Sequence, residues 1–328
     1  MNKSLLKRLF KTMPPEENLE IVRVAQEIIS DERKKGHSIL ADDLEIILKK
    51  RLAYEVSKPK GKVVPLHDIP TDRRYKIPLA KYVDREELRH HMILPPTVEE
   101  KIRRIEEEYA GRERLALFGL KPRKKILFYG HPGCGKSMSA ERIAWNLGLP
   151  FLKVRFEAIL SSYLGESAGN LRGLFDSIAD YPCVLLLDEF DYIGKKRESN
   201  NDVGEMHRIV NILLHLMEEY ASPGILIATT NVENSLDNAL FRRFDDVIEI
   251  PRPSEKEIHQ LLKSTLSSIK ISNKIDWKII ANKLNGYSAA IVVKIAQDAS
   301  KEAVLKQDLP VNESHILKAI KENKDTGK

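Results

Sequence analysis

Eight consecutive residues in this chain of 328 have the types and spacing needed to bind a phosphate group. Residues 130–137 read Gly-His-Pro-Gly-Cys-Gly-Lys-Ser, which fits the phosphate-loop pattern of a glycine, four residues and then Gly-Lys-Ser. Glycines let the backbone fold tightly enough for its N–H groups to point at phosphate oxygens. We expect Lys136 to reach the β- and γ-phosphates of a nucleotide and Ser137 to bind Mg²⁺. The residues predicted to bind nucleotide here are Gly130, His131, Pro132, Gly133, Cys134, Gly135, Lys136, Ser137 and Met138.

Two carboxylates follow the apolar run Val184–Leu187 directly. Asp188 is expected to hold Mg²⁺ through its water shell, because hard carboxylate oxygens suit that ion. Glu189 could polarise the water that attacks the γ-phosphate. The alternative is a strand that ends in two solvated acids, and this is less consistent with the phosphate loop earlier in the chain.

Three further residues are candidates for catalysis. Asn231 ends another apolar run and could orient the attacking water without adding charge, although asparagine is also a common turn residue. Arg242 and Arg243 are adjacent, and an arginine near the γ-phosphate of a neighbouring subunit would stabilise transition-state charge. Alternatively, each arginine pairs with a carboxylate of its own chain.

The elements around these residues alternate between strand and helix. An apolar strand at 126–129 precedes the phosphate loop, and a helix from 138 to 147, closed by Gly148, follows it. Continuous apolar strands that alternate with helices indicate a parallel sheet covered on both faces. The other predicted strands are 151–156, 183–187, 224–228 and 247–250, with helices at 169–179 and 205–220. After Ser254 only helices are predicted, at 255–269, 277–284, 289–306 and 313–322.

The first part of the chain is predicted to be mainly helical. Residues 16–35 and 38–53 carry apolar stripes at helical spacing, which suit two antiparallel helices forming a packing or docking module. Prolines and glycine at 57–72 are typical of a linker, and Pro95-Pro96-Thr97 is expected to open a helix to Ala110. The predicted domains are an N-terminal helical domain at 1–56, a linker at 57–94, an α/β subdomain at 95–253 and a small helical lid at 254–328.

Composition sets few further limits. The net charge of +6 permits a nucleic-acid partner without indicating one. Cys134 and Cys183 do not form a disulfide framework, which is consistent with a reducing cytoplasm. Neither a signal peptide nor a membrane-spanning apolar run is predicted. His90 and His91 are neighbours, which is the wrong spacing for one helical face, so metal binding by this pair is not expected.

Four segments together resemble the AAA family of the AAA+ ATPases: residues 130–137, 185–189, 228–231 and 236–245. This resemblance runs from about Pro95 to the end and implies a five-stranded parallel sheet, a small helical lid and usually a hexameric ring with ATP between subunits. It implies that Asn231 senses the γ-phosphate and that Arg242 and Arg243 are arginine fingers, although many relatives place Pro-Gly between these arginines. Residues 286–290 resemble the second sensor without its arginine, with Ala289 and Ala290 packed near the adenine.

Residues 162–167 resemble the aromatic–hydrophobic–glycine pore loop of AAA unfoldases, with Tyr163, Leu164 and Gly165 at its centre. An aromatic side chain on a loop can grip an extended polypeptide through apolar contact, whereas the alternative places Tyr163 in the core. The resemblance, which extends to bacterial stand-alone AAA proteins, therefore favours an ATP-driven protein remodeller or unfoldase. Residues 1–90 would recruit a target, an accessory protein or a protease.

Two other functions remain open from the sequence. A nucleic-acid-linked switch, such as a loader or mobile-element ATPase, would use the basic residues Lys121, Arg123, Lys124 and Lys125, although no nucleic-acid module is recognisable. A nucleotide-dependent scaffold without turnover is the third possibility, and the complete set of Lys136, Asp188 and Glu189 argues against it.

Overall fold

The chain was analysed as a computed structural model, which describes residues 28–30, 32–38, 40–47, 69–72, 75–160, 166–190, 203–231, 241–306 and 310–324. Two compact units divide the chain, residues 1–65 and residues 66–328.

In the first unit, two helical segments pack around a small apolar cluster. Residues 28–30 and 32–34 are helical, and so are residues 40–47 after the bend at Gly36, which has a φ of +82°. Ile29, Leu40 and Leu44 are buried together. The members of the predicted apolar stripes that the structure describes, Ile28, Ile29, Leu40, Leu44 and Ile47, all belong to this cluster or pack against it.

A six-stranded sheet in the order β1-β3-β4-β5-β2-β6 forms the centre of the second unit. The strands are β1 (Ala80–Val83), β2 (Lys125–Tyr129), β3 (Phe151–Val154), β4 (Val184–Leu187), β5 (Ile225–Thr230) and β6 (Asp246–Glu249). From β3 to β6 every pair of neighbours is parallel. Strand β2 lies between β5 and β6, with Leu127 opposite both Ala228 and Val247.

The expectation of five strands is wrong by one strand, because β1 adds an antiparallel edge next to β3. Ala80 faces Val154, and Val83 faces Phe151. Residues 80–83 lie in the stretch 57–94 predicted as a linker, and only Ala80 of the four is buried. The sequence does not predict β1, because a strand that covers only the edge of a sheet needs no continuous apolar run.

Helices cover both faces of this sheet. They are α1 (Pro96–Ala110), α2 (Arg112–Ala116), α3 (Lys136–Leu147), α4 (Phe156–Leu160), α5 (Glu166–Ser177) and α6 (Val203–Glu218). Strand β2 shows the arrangement: Ile126 and Phe128 pack with residues of α1 and α3, whereas Leu127 packs with residues of α5 and α6. Because both of their faces are buried, the interior strands β2, β4 and β5 read as nearly continuous apolar runs, as predicted.

Four helices form a separate core at the C-terminal end: α7 (Glu255–Thr265), α8 (Trp277–Lys283), α9 (Ala289–Leu305) and α10 (Glu313–Glu322). Ile258, Ile280, Val292 and Ile316, one from each helix, are all fully buried in this cluster. Asp276 and Asn312 accept backbone N–H groups at the starts of α8 and α10, which explains where these helices begin. Across the described part of the chain, no helix has the length and apolarity that a membrane span requires.

Candidate nucleotide-binding site

The predicted phosphate loop connects the end of β2 to the start of α3. Gly130, Gly133 and Gly135 have φ angles of +138°, +74° and +105°, and all three lie in the left-handed region that favours glycine. Helix α3 begins at Lys136, so the loop leads directly into a helix N-terminus. Backbone N–H groups and the helix dipole both favour an anion at such a position.

Lys136 is buried at the base of this loop, with 7% of its surface exposed. Its ammonium donates to the carbonyl oxygens of Gly130 at 2.8 Å and His131 at 2.9 Å. These contacts hold the charge of Lys136 within the loop, at the position where phosphate groups would compete for it.

Two of the glycines are also required by close packing. A Cβ on Gly130 would lie 2.3 Å from the carbonyl oxygen of Ile250, at the end of the edge strand β6. A Cβ on Gly133 would lie 2.9 Å from Ser288 Oγ, and the N–H of Ala290 donates to the Gly133 carbonyl at 3.0 Å. The start of helix α9 therefore contacts the phosphate loop, and this contact places Ala289 and Ala290 beside it.

Asp188 lies at the carboxyl end of β4 and joins three elements of the site. Its Oδ1 accepts hydrogen bonds from Ser137 Oγ on α3 and Thr229 Oγ1 on β5, each at 2.6 Å. Its Oδ2 lies 2.6 Å from the ammonium of Lys153 on β3. The structure thus brings Ser137 and Asp188 together as predicted, and it adds Lys153 and Thr229.

The charge on Asp188 is set by two opposing effects. Burial alone would raise the pKa of this carboxyl group. Hydrogen bonds from Lys153, Ser137 and Thr229 outweigh burial and lower the pKa of Asp188 below its ordinary value of 3.8. Asp188 is therefore ionised at neutral pH, as a ligand for a hard cation must be.

Glu189 follows Asp188 and has a strained backbone. Its φ is +52°, one of only two positive values at non-glycine residues in the described parts of the chain. Its backbone N–H donates to Thr229 Oγ1 at 3.0 Å, and Glu189 is exposed at the end of the sheet. Asn231 follows β5, the strand between β4 and β2, so it lies at the same edge of the sheet as Asp188 and the phosphate loop.

The two adjacent arginines have different surroundings. Arg243 is partly buried, and its Nε lies 2.8 Å from Glu218 Oε1 at the end of α6. Arg242 is exposed, and none of the described residues forms an ion pair with it. Among the described residues, the alternative of pairing within the chain therefore holds for Arg243 and not for Arg242.

Cys134 is a buried spacer within the phosphate loop, with 4% of its surface exposed. Burial raises the pKa of its thiol, although Lys136 and the backbone of Ala289 act in the opposite direction. A neutral thiol is a poor nucleophile, so the structure gives Cys134 no reactive role.

The segment that follows β1 passes beside the phosphate loop. The backbone N–H and the Nε of Arg89 both donate to Oε2 of the buried Glu141 on α3, each at 2.9 Å. A Cβ on Gly135 would lie 3.1 Å from Met92 Cε. Neither contact was predicted, because no local pattern in residues 84–95 identifies a partner on α3.

The sequence also misses Lys153 and Thr229, although each carries a recognisable signal. Lys153 is the charged residue in an otherwise buried strand, and Thr229 lies two residues before Asn231.

The pore-loop residues Tyr163, Leu164 and Gly165 lie outside the described residues. Within the described residues, no three His, Cys, Asp or Glu side chains cluster as a site built from these ligands would require.

A mostly parallel sheet in which an interior strand leads into a glycine-rich phosphate loop, with an acid at the end of a nearby strand, defines a P-loop nucleotide-binding protein. Comparison with known proteins defines the class more closely. Residues 126–252 match the model of the ATPase family associated with various cellular activities (AAA). The chain is also similar to an uncharacterized AAA family ATPase, y4kL, of Sinorhizobium fredii. The two are 33% identical over 321 residues, which cover 97% of this chain and 94% of the relative. The chain therefore belongs to the AAA family and is an ATPase.

Proposed function

We propose that ATP is bound and hydrolysed at the phosphate loop, with Lys136 on the β- and γ-phosphates and Glu189 as the residue that activates water. The observation that carries this proposal is the hydrogen-bonded cluster of Ser137, Asp188 and Thr229. It joins the helix after the phosphate loop to the ends of β4 and β5. Such a cluster places an ionised carboxylate where a nucleotide's phosphates and their metal would meet.

The residues present suit Mg²⁺ as the metal. Ser137 Oγ and Asp188 Oδ1 are hard oxygen donors only 2.6 Å apart, and they would hold the ion on one side. The ammonium group of Lys153 already contacts Asp188 Oδ2, so a cation can approach this carboxylate. When bound, Mg²⁺ would neutralise charge on the β- and γ-phosphates.

The remaining roles follow from exposure and position. Glu189 is exposed beside the phosphate loop and can accept a proton from water, while Asn231 can orient that water without adding charge. We assign the arginine finger to Arg242, because Arg243 is held by Glu218 of its own chain. Arg242 of one copy would then stabilise negative charge that develops at the site of its neighbour.

The test of the catalytic assignment is Glu189→Gln, which keeps the size of the side chain and removes its charge. ATP binding should be retained, and phosphate release should fall by about 100-fold or more. Glu157→Gln is a matched control, because the Glu157 side chain is 75% exposed on α4, away from these contacts. Equal turnover by Glu189→Gln and wild type would refute the role of Glu189.

Assembly of six copies into a ring is the second part of the proposal. Exposed apolar residues support an interface between copies: Leu117 is 83% exposed, Phe118 81% and Leu120 57%. The Glu189→Gln variant, sized with ATP present, should elute as an oligomer, and Phe118→Asp should weaken that oligomer. A monomer that hydrolyses ATP at full rate would contradict a site shared between copies.

We propose protein remodelling as the use of this ATPase, with Tyr163 gripping a polypeptide and residues 1–90 recruiting the target or an accessory protease. The pattern at 162–167 supports the proposal. The Glu189→Gln variant is used first to capture a protein substrate. With that substrate, Tyr163→Ala should lose remodelling activity and keep ATP hydrolysis. Retained remodelling would refute threading through a central pore.

The nucleic-acid alternative finds less support in the structure. Arg123 contacts Glu108 and Asp246, and Lys125 contacts Asp245 within the same chain. Lys124 donates to the carbonyl oxygen of Ser222. Most of the basic run is thus engaged internally. ATP hydrolysis measured with DNA over a salt series should show no stimulation, whereas a salt-sensitive increase would favour this alternative.

A further inference from the structure

Lys153 places its ammonium group against the carboxylate that we propose as the metal ligand. It is the exposed residue of β3, whose other three residues are buried. Its ammonium lies 2.6 Å from Asp188 Oδ2, and its side chain is 46% exposed compared with 13% for Asp188. A lysine in a strand of this kind is normally free to extend into solvent, but here it turns toward the site.

The two oxygens of Asp188 are engaged by different chemistry. Oδ1 accepts from two neutral hydroxyl groups, Ser137 and Thr229, whereas Oδ2 is paired with the cation. Neutral donors can remain when a metal ion arrives, because a hydroxyl oxygen can itself become a ligand. An ammonium group cannot become a ligand, and it repels a divalent cation at the same carboxylate.

We propose that Lys153 is a positioning residue that substitutes for the metal ion: it holds Asp188 in the metal-free site and lowers the advantage that Mg²⁺ gives to nucleotide binding. This inference rests on the proposed metal site at Ser137 and Asp188. Without the lysine, the bare carboxylate would repel the phosphates of a metal-free nucleotide. With Mg²⁺ present, the lysine competes with the ion for Asp188.

Both effects act on one measurable quantity, the ratio of the nucleotide's Kd in EDTA to its Kd in saturating Mg²⁺. Removal of the charge should weaken binding in EDTA and strengthen it in Mg²⁺, so the ratio should rise. The flexible stem and half-exposed position of Lys153 let the ammonium move away when the ion binds, which keeps the effect moderate. For a partly exposed pair we expect a rise of about three- to tenfold.

The experiment measures binding of a fluorescent ATP analogue to the full chain in both conditions. Lys153→Met and Lys153→Gln should raise the ratio, and Lys153→Arg, which keeps the charge, should leave it near the wild-type value. Lys81→Met is the matched control, because Lys81 is the residue opposite Lys153 on β1 and is likewise exposed. Circular dichroism before each titration checks that the variants are folded.

Asp188→Asn separates this inference from the function on which it rests. It should bring the ratio close to one, and Lys153→Met should then add little in that background. A wild-type ratio in Asp188→Asn would show that the proposed metal site is wrong. If the ratio falls in Asp188→Asn but is unchanged in both Lys153→Met and Lys153→Gln, the proposed role of Lys153 is refuted. The proposed metal site would stand in that case.

Discussion

The hydroxyl of Thr229 donates to Asp188 Oδ1 at 2.6 Å and accepts the backbone N–H of Glu189 at 3.0 Å. One buried side chain on β5 therefore orients the side chain of one acid and the backbone of the next. This contact explains how Glu189 keeps its positive φ, because the N–H of a strained residue is held by a group that is itself fixed in the sheet.

Thr229→Val should test this arrangement, since valine has nearly the same shape and no hydroxyl. The N–H of Glu189 would lose its partner, so the free energy of unfolding should fall by about 1–3 kcal/mol. ATP hydrolysis should fall by about tenfold, because Glu189 and Asp188 lose their shared support. Denaturant unfolding and phosphate release measure the two effects. Thr229→Ser keeps the hydroxyl and should retain most of the stability and most of the ATP hydrolysis. A Thr229→Val variant with wild-type turnover would contradict the prediction.

Arg242 and Arg243 should respond differently to removal. Arg242→Ala should leave stability and ATP binding unchanged and reduce hydrolysis by about 100-fold or more, because an arginine finger acts only in the transition state. Arg243→Ala should lose the pair with Glu218 and change the free energy of unfolding by about 0.2–1 kcal/mol, the range for exposed pairs. Steady-state hydrolysis and thermal unfolding of both variants decide the assignment. The reverse pattern would make Arg243 the finger.

Gly133→Ala should damage the phosphate loop through both backbone and packing. An alanine at φ +74° is strained, and its Cβ would approach Ser288 Oγ to 2.9 Å. We expect a loss of about 1–3 kcal/mol in the free energy of unfolding, together with weaker nucleotide binding. Gly173→Ala on α5 is the control: no neighbour lies within 4 Å of its Cβ, and a helical glycine replaced by alanine should gain about 0.5–1 kcal/mol. Similar effects at both positions would contradict the role of the close contact between Gly133 and Ser288.

Glu99→Gln should reveal an acid-dependent contribution to stability. The hydrogen bond from Arg142 on α3 is the main cause that lowers the pKa of Glu99 on α1 below its ordinary value of 4.5, against the effect of burial. A carboxylate with a lowered pKa in the folded state stabilises that state above its ordinary pKa, and the contribution is lost as the pH falls through the lowered value. Wild type should therefore be more stable than Glu99→Gln at pH 7, and the difference should shrink as the pH falls below about 4.5.

Urea unfolding of both proteins between pH 7 and pH 3 measures that difference. Glu107→Gln is a useful comparison, because Glu107 forms an exposed pair with Arg103 at 3.4 Å and should change stability little at pH 7. If the difference in the free energy of unfolding between wild type and Glu99→Gln grew toward low pH, the predicted effect of the Glu99–Arg142 pair would be wrong.

The sequence predicts the parts of this molecule that local patterns determine. The helices Pro96–Ala110 and Glu313–Glu322 match their predicted bounds, because a proline or a capping side chain marks each start. Strand β4 is predicted equally well, since a buried parallel strand leaves a continuous apolar run.

The parts that the sequence does not predict depend on contacts between distant segments. Strand β1 forms because an edge of β3 is open to it, and Lys153 acts on Asp188 only after β3 and β4 lie side by side. Likewise, the difference between Arg242 and Arg243 arises because the end of α6 offers Glu218 to one of them. No window of the sequence contains both partners of any of these contacts.

The salt bridge between Arg89 and Glu141 has a mechanical consequence. Glu141 is nearly buried on helix α3, and both the backbone and the side chain of Arg89 bond to it. Residues 84–95 therefore cannot shift without leaving that carboxylate unpaired or pulling on α3, the helix that begins at Lys136. A force applied to residues 84–95 would in this way be transmitted to α3 and to the phosphate loop that leads into it.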